Sequence, residues 1–400
     1  MTAAGAAASP ASRPRADDLL ARGPADPARL LYELVSIPSV SRLEARAVRF
    51  LVDRFAALGL DATVDAAGNA VGRVGDPAED AVDVMLLGHI DTVPGGPPPR
   101  VEGGRLFGRG AVDAKGPLAV FAAAAARLRA EPVPGLRLTV VGAVEEEVPS
   151  SKGARYLASS TPAPDFCIIG EPSGARAVTL GYKGRLLLDL ERRRATSHSA
   201  GPEPTATEDV VDAWTRIQDL AASWNAAAVD GGRRGIFDQI QTELQSITTL
   251  PRGDGGDEDR CVATVGFRLP PELGPGELEA QLRSNLGGLT LGVRGAERAW
   301  LGERRGPLVA SFSGAIREVA GVRPRLLKKT GTSDMNVVAP VWGCPIVAYG
   351  PGDSRLDHTP DEHVELDEVR LAAGVLEAVL RRIVDCVKLG TEHSERAKLE

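Results

Sequence analysis

Residues 82–94 read VDVMLLGHIDTVP, an apolar run that ends in a histidine and an aspartate two residues apart. The run predicts a buried strand over Val82–Leu87, with His89 and Asp91 just beyond its carboxyl end. In open α/β sheets, ligands collect at the carboxyl ends of the strands. An aspartate so close to a histidine can accept the second ring N–H and fix the tautomer that coordinates a metal. Taken alone, a His–Asp pair more often has a structural role.

Similar apolar runs alternate along the chain with patterns typical of helices. Further strands are predicted over Arg137–Val144, Phe166–Ile169 and Ile346–Tyr349, and helices over Pro27–Val35, Leu43–Leu58, Gly116–Arg129, Pro307–Val319 and Leu366–Val387. This alternation of strands and helices favours an α/β layer architecture.

The middle of the chain follows a different order. It contains in turn a long alternating run over Val178–Arg192, a helical pattern over Thr207–Asn225, a strand over Cys261–Leu269 and a helix over Gly276–Leu286. We therefore predict an α+β domain at residues 180–295, inserted into a larger domain made of residues 26–179 and 296–388. Residues 1–25 lack the apolar run of roughly 7–15 residues found in signal peptides. They are predicted to be a mobile tail, as is the charged segment 389–400.

Composition excludes several classes of function. The 47 Lys and Arg against 54 Asp and Glu give a net charge of −7, which offers no basic surface for nucleic acid. No stretch reaches the roughly 18 apolar residues that span a bilayer, so no membrane partner is predicted. The four cysteines are widely separated and indicate reduced thiols in the cytoplasm. With five histidines in the chain, a metal site must also use carboxylates.

Carboxylates and a second histidine follow the other predicted strands. Asp113 lies in GRGAVDAKG (residues 108–116), just before a helix. This segment taken alone favours a helix cap, and the alternative is a carboxylate that bridges two cations. Three more positions follow strands: the run Glu145, Glu146 and Glu147, then Glu171, then His358. Adjacent carboxylates repel one another unless they are solvated, protonated or bound to cations, so a solvated loop is the alternative.

Taken together, the ends of four predicted strands are followed by a histidine, two glutamate positions and a second histidine. Asp113 lies between them in the sequence. Mixed histidine and carboxylate ligands suit zinc, and a shared aspartate suits two ions roughly 3.5–4 Å apart. A glutamate left over from ligation would then be the general base.

The same segments resemble a known family. GHIDTVP (88–94), GRGAVDAKG (108–116), EEE (145–147), GEPS (170–173), SHSA (197–200), GTSD (331–334) and HTPDE (358–362) are similar to motifs of the M20-type di-zinc peptidases and deacylases, which include acetylornithine deacetylase and succinyl-diaminopimelate desuccinylase. The likeness runs in order from about residue 30 to residue 387. It implies a catalytic domain with a central mixed sheet and helices on both faces, and an inserted α+β dimerisation domain that acts as a lid.

The resemblance also implies roles for the site residues. His89 and Glu171 would bind one ion, and Glu147 and His358 would bind the other. Asp113 would bridge the two ions. Asp91 would orient His89, and Glu146 would be the general base. The ions implied are two divalent cations, Zn²⁺ or Co²⁺. The family pattern here is Asp-Glu-Glu, whereas this chain has Glu145 in place of the aspartate, so a shift of one residue would move both glutamate roles.

Substrate contacts follow from the same resemblance. The inserted domain implies a homodimer in which His198 of one subunit stabilises the oxyanion in the other. Arg268 matches the arginine that binds a substrate carboxylate, whose planar fork suits bidentate recognition. Thr332 and Ser333 match a substrate-facing loop, and Lys183 lies near the expected mouth of the site. The family often has an asparagine at the position of Asp254, so this chain departs there from the family's usual substrate contacts.

Within the family, the motifs look most like hydrolases that release lysine or ornithine from the C-terminal glutamate of a small acidic amino-group carrier protein. Lys183, Arg185 and the run 192–194 would steer such a carrier, although a solvated strand end explains that run as well. Two alternatives are a deacylase or dipeptidase that acts on free N-acyl amino acids, and a non-catalytic homologue that binds a carrier.

Overall fold

The computed structural model describes residues 16–396, apart from residues 197, 199, 234 and 250–257. Asp254 and residues 1–15 therefore lie outside the described residues. The helices in this part of the chain are α1 (Ala16–Leu20), α2 (Pro27–Val35), α3 (Ala45–Ala57), α4 (Lys115–Ala130), α5 (Lys152–Ser160), α6 (Ala206–Asp230), α7 (Pro275–Asn285), α8 (Pro307–Ala320), α9 (Met335–Trp342) and α10 (Leu366–Arg396).

The strands are β1 (Asp61–Val64), β2 (Ala70–Gly75), β3 (Val82–His89), β4 (Arg100–Glu102), β5 (Arg105–Phe107), β6 (Leu136–Ala143), β7 (Phe166–Gly170), β8 (Ala177–Tyr182), β9 (Gly184–Ala195), β10 (Gln241–Thr249), β11 (Glu258–Leu269), β12 (Thr290–Glu297), β13 (Trp300–Leu301), β14 (Arg325–Lys329), β15 (Ile346–Ala348) and β16 (His363–Glu365). All four strands predicted for the larger domain are confirmed, as β3, β6, β7 and β15.

The larger sheet has the order β1-β2-β6-β3-β7-β15-β8-β13, with β14 paired to β8. Strand β3 is parallel to both β6 and β7, whereas β2 runs antiparallel to β6, so the sheet is mixed as predicted. The register places His89 opposite Ala143 of β6 and Gly88 opposite Gly170 of β7. Three parallel strands therefore end side by side, and the residues that follow them meet at one edge.

Helices cover both faces of this sheet. Leu86 packs with α2, α3, α4, α8 and α10 in one core cluster, while the next residue, Leu87, packs in a second cluster with α5 and α9. This alternation is the expected consequence of the two-residue period of a strand. Helix α4 is buried along nearly its whole length, and its run of alanines explains how α2 and α10 approach it closely. The α/β fold with helices on both faces is confirmed.

A smaller antiparallel sheet has the order β10-β11-β9-β12 and shares a core with α6 and α7. The run 178–192, predicted as one strand, is divided at Lys183 between β8 of the larger sheet and β9 of the smaller one. A Cβ at Gly184 would lie 2.6 Å from the carbonyl oxygen of Glu297, so the chain can change sheets there because residue 184 has no side chain. Both predicted boundaries, 180 and 295, fall inside strands.

Part of each predicted tail is helical in the structure. Residues 16–20 form α1, and Leu19 is fully buried against the core, so the ordered chain begins before residue 26. Helix α10 continues to Arg396, beyond the predicted end at 388. Among the described residues, no helix is both long enough and apolar enough to cross a membrane.

Candidate active site

The predicted ligands meet at the edge where β3, β6 and β7 end. A cavity of about 540 Å³ opens there, lined among others by Asp113, Glu146, Glu147, Glu171 and His358. His89, at the end of β3, lies at the base of this cluster with 1% of its surface exposed. Sequence segments up to 269 residues apart are thus brought to one point.

Asp113 lies between two halves of the cluster. Its Oδ1 is 3.2 Å from His89 Nε2, and its Oδ2 is 2.9 Å from His358 Nε2. On the first side, His89 Nε2 is 3.9 Å from Glu171 Oε1; on the second, His358 Nε2 is 3.0 Å from Glu147 Oε2. Each aspartate oxygen therefore faces its own histidine–glutamate pair, which is the arrangement expected of a carboxylate that bridges two cations.

The charges of the cluster also fit bound cations. Burial, with Asp113 beside each of them, raises the pKa of Glu147 and raises that of Glu171 well above its usual value. Hydrogen bonds to Asp113 and Glu147 raise the pKa of His358 to about 10. So many acidic groups packed together are unfavourable unless positive charge compensates them. Ligand atoms of His89, Asp113 and Glu147, and likewise of His89, Glu146 and Glu171, lie within 4.8 Å of one another, so the donor set fits divalent ions.

The three consecutive glutamates have different surroundings. Glu145 turns away from the cluster: Ser150 Oγ donates to its Oε2 at 2.6 Å, and Arg42 Nε lies 3.8 Å from the same carboxylate. Glu146 lines the cavity, and Glu147 contacts His358. This arrangement supports the base at Glu146 and the ligand at Glu147 rather than a shift of one residue.

Asp91 does more than the sequence suggested. His89 Nδ1 lies 3.0 Å from the backbone oxygen of Asp91 and 3.5 Å from its carboxylate, so the carbonyl is the closer partner of the ring. The carboxylate accepts hydrogen bonds from the backbone N–H groups of Glu146 at 3.0 Å and Glu147 at 3.1 Å, and from Ser41 Oγ at 2.7 Å. Asp91 therefore positions the loop that carries the candidate base as well as His89.

Arg268 faces the cavity beside the loop 331–334. Its Nη1 donates to Thr332 Oγ1 at 2.7 Å, and both residues line the cavity. Burial, together with nearby Arg185, lowers the pKa of Arg268. Arg185 is paired with Glu297 at 2.9 Å, whereas Arg268 has no ion pair within 4.0 Å among the residues the structure describes. A largely buried guanidinium in that position is suited to receive a carboxylate from a ligand.

Two predicted substrate residues are not brought to the cavity. Lys183 is fully buried at the junction of the two sheets, where its Nζ donates to the carbonyl oxygens of Ile236 and Gln239. Ser333 is also buried, and its Oγ accepts a hydrogen bond from the N–H of Met335 at the start of α9. Both side chains hold the scaffold together at these positions, and the predictions that they contact substrate are not retained.

His198 and the arginine run lie apart from the cavity within one chain. His198 is exposed, and its Nδ1 accepts a hydrogen bond from the N–H of Ala200. Arg192 and Arg194 both pair with Asp209, and Arg193 pairs with Glu191 and Glu258. These carboxylates neutralise the run 192–194, so the structure does not favour it as a steering surface for an acidic partner.

A buried glutamate that sequence reasoning missed connects two of the candidate ligands. Glu362 is fully buried, and its Oε1 accepts hydrogen bonds from the N–H groups of Val112 at 3.0 Å and Asp113 at 3.2 Å. Its Oε2 accepts from Arg109, whose other terminal nitrogen donates to the backbone oxygen of His358 at 3.3 Å. Glu362 and Arg109 thus tie the Asp113 loop to the His358 loop. Glu362 is the last residue of the motif HTPDE, which marks it as a candidate. The motif does not indicate that Glu362 contacts Arg109.

We expect Glu362→Gln to weaken metal binding roughly 10- to 100-fold, the usual effect of removing a hydrogen-bond partner behind a ligand. Glutamine has nearly the same volume as glutamate. It lacks the negative charge that holds Arg109, and it has one acceptor oxygen instead of two. Competition with a chelator would measure the dissociation constant for Zn²⁺. Glu365→Gln is the matched control, because Glu365 is exposed and pairs with Arg105. Equal affinity in the Glu362 variant and this control would contradict the role.

The mixed sheet, the second sheet built into it and the aspartate-centred ligand cluster define a metal-dependent hydrolase. Residues 85–382 match the model of peptidase family M20/M25/M40, and the chain belongs to this family.

Relatives and solved structures agree with that assignment. The chain is 46% identical to a [LysW]-lysine hydrolase of Deinococcus radiodurans, over 89% of this chain and 96% of that protein. It is 38% identical to a putative [LysW]-lysine/[LysW]-ornithine hydrolase of Thermococcus kodakarensis, over 91% and 94%. An M20 family metallo-carboxypeptidase of Sulfolobus solfataricus has the same fold, with a TM-score of 0.74 and 18% identity over 90% of this chain and 99% of that one.

Proposed function

We propose that this enzyme hydrolyses the amide that joins lysine or ornithine to the γ-carboxyl of the C-terminal glutamate of a small acidic amino-group carrier protein. The observation that carries the proposal is the 46% identity, over nearly the whole of both chains, to a relative named [LysW]-lysine hydrolase. The cavity is compatible with such a substrate, because Arg268 offers an unpaired guanidinium beside the ligand cluster.

His89 and Glu171 would hold one divalent ion and Glu147 and His358 the other, with Asp113 between them. We propose Zn²⁺, with Co²⁺ as a substitute, because histidine and carboxylate ligands suit both. Such ions supply Lewis acidity and lower the pKa of bound water.

Side chains of the protein itself transfer the proton and bind the substrate. Glu146 takes a proton from the attacking water and returns it to the leaving amine as the C–N bond breaks, which leaves a free carboxylate and a free amino acid. Burial raises the pKa of Glu146 well above its usual value. Arg268 binds a substrate carboxylate, and Thr332 orients that guanidinium by accepting its hydrogen bond.

The substrate class can be tested with the purified, metal-loaded enzyme. We expect kcat/KM to be about 100-fold or more higher for carrier-linked lysine or ornithine than for free N-acetylornithine, because contacts outside the scissile amide add to transition-state binding. The opposite preference would favour the alternative of a deacylase for free N-acyl amino acids. Hydrolysis of neither substrate would revive the non-catalytic alternative, against which the complete ligand set argues.

We further propose a homodimer in the cytoplasm. Strand β10 lies at the edge of the smaller sheet and exposes Leu244 and Ile247, a surface that a second subunit would cover. His198 is exposed on the same unit, as a residue that serves the neighbouring subunit must be. All four cysteines are free, which suits a reducing compartment.

Mixing two inactive variants tests whether His198 acts across subunits. We expect His198→Ala and Glu146→Gln each to abolish most activity when assayed alone. Co-expressed in equal amounts, they should recover about a quarter of wild-type activity, because half the dimers are mixed and one of their two sites is intact. Activity assays on the purified mixture, with light scattering to give the mass, would measure this. A mixture no more active than its parents would contradict the shared site.

A further inference from the structure

One carboxylate on the cavity wall is not accounted for by the ligand cluster. Asp357 precedes His358 and lines the cavity, yet it belongs to neither group of candidate ligand atoms. Its Oδ1 is buried and has no hydrogen-bond partner within the described part of the chain. A buried acceptor without a donor is destabilising, and more so when it is charged. The position is therefore suited to receive a donor from a bound molecule.

The charges around Asp357 indicate what kind of donor fits. Asp113 and Glu362 add negative charge near it, and Lys329 adds positive charge. Lys329 is already engaged, because its Nζ donates to Ser354 Oγ, and it forms no ion pair within 4.0 Å with any described residue. Asp357 thus lacks a direct cationic partner of its own, and an incoming ammonium group would supply both the hydrogen bond and the charge.

The same cavity carries the opposite charge at Arg268. This guanidinium also has no carboxylate partner among the described residues, and it projects from β11 of the smaller sheet. Asp357 comes from the loop between β15 and β16, which belongs to the larger part of the chain. One cavity therefore presents an unpaired cation and an unpaired carboxylate. An amino acid with a carboxylate at one end and an ammonium on its side chain complements both.

We propose that Asp357 determines specificity by accepting a hydrogen bond from the side-chain ammonium of the lysine or ornithine in the substrate. The inference rests on the proposed function, since a basic leaving amino acid is what carries that group. Asp357 makes no covalent contribution to the reaction; its effect is on which amino acid is held with its amide at the ligand cluster.

The experiment compares three substrates that differ in the side chain alone. Each is a peptide ending in glutamate whose γ-carboxyl is linked to lysine, ornithine or norleucine; norleucine replaces the ammonium of lysine by a methyl group. For the wild type we expect kcat/KM to be roughly 10- to 100-fold higher for lysine than for norleucine, as a charge-assisted hydrogen bond provides. In Asp357→Asn that ratio should fall to within about 3-fold, mainly through a higher KM for lysine.

Asp353→Asn is the matched control. Asp353 lies four residues earlier in the same loop, is exposed and pairs with Arg355, so its variant should keep the wild-type ratio. Because each ratio compares two substrates on one enzyme preparation, any partial loss of metal cancels. A preserved preference for lysine in Asp357→Asn, or an equal loss on both substrates, would overturn the inference while the proposed function stands. A wild type that cleaves none of the three peptides would overturn both.

Discussion

Glu146→Gln is expected to lower kcat by roughly 10³-fold or more while the metal content stays at the wild-type level. Glutamine has the same shape, and the backbone N–H of residue 146 still donates to Asp91, so the loop and its ligands remain in place. The amide cannot take a proton from water or return it to the leaving amine, and such proton transfer contributes about 10²–10⁴-fold to a rate. Steady-state kinetics, with metal analysis of the same sample, would measure both quantities.

Glu145→Gln is the matched control for this variant. Glu145 contacts Ser150 and Arg42 outside the ligand cluster, so the substitution should leave turnover near the wild-type value. Full activity in Glu146→Gln would refute the role of the base. A loss in the Glu145 variant instead would show that the roles are shifted by one residue along the glutamate run.

Much of the site was predictable because its residues follow apolar strands. His89 is the last residue of β3, Glu171 directly follows β7, and the glutamate run begins two residues after the end of β6. These three strands are parallel, and parallel strands place their carboxyl ends at one edge. Order along the chain was therefore enough to predict which residues meet. Their pairing across Asp113 depended on side-chain directions that a sequence pattern does not contain.

The sequence did not predict the side-chain contacts of three buried residues, Lys183, Ser333 and Glu362. Lys183 and Ser333 lie in recognisable motifs, but the change of sheet at Gly184 and the start of α9 direct their polar atoms into the scaffold. Glu362 acts through Val112 and Asp113, about 250 positions away in the chain. Roles of this kind arise from long-range packing, whereas motif spacing reports mainly on local structure.

Asp113→Ala is expected to release at least one of the two ions and to abolish turnover. Without Asp113, each half of the cluster keeps one histidine and one glutamate, whereas catalytic zinc sites use three protein ligands. The affinity should fall by more than the ~10–100-fold that follows loss of an outer hydrogen-bond partner. Metal stoichiometry after dialysis and chelator competition would measure this. Asp83→Asn, at the opposite end of β3, is the control. Two tightly held ions in Asp113→Ala would refute the bridge.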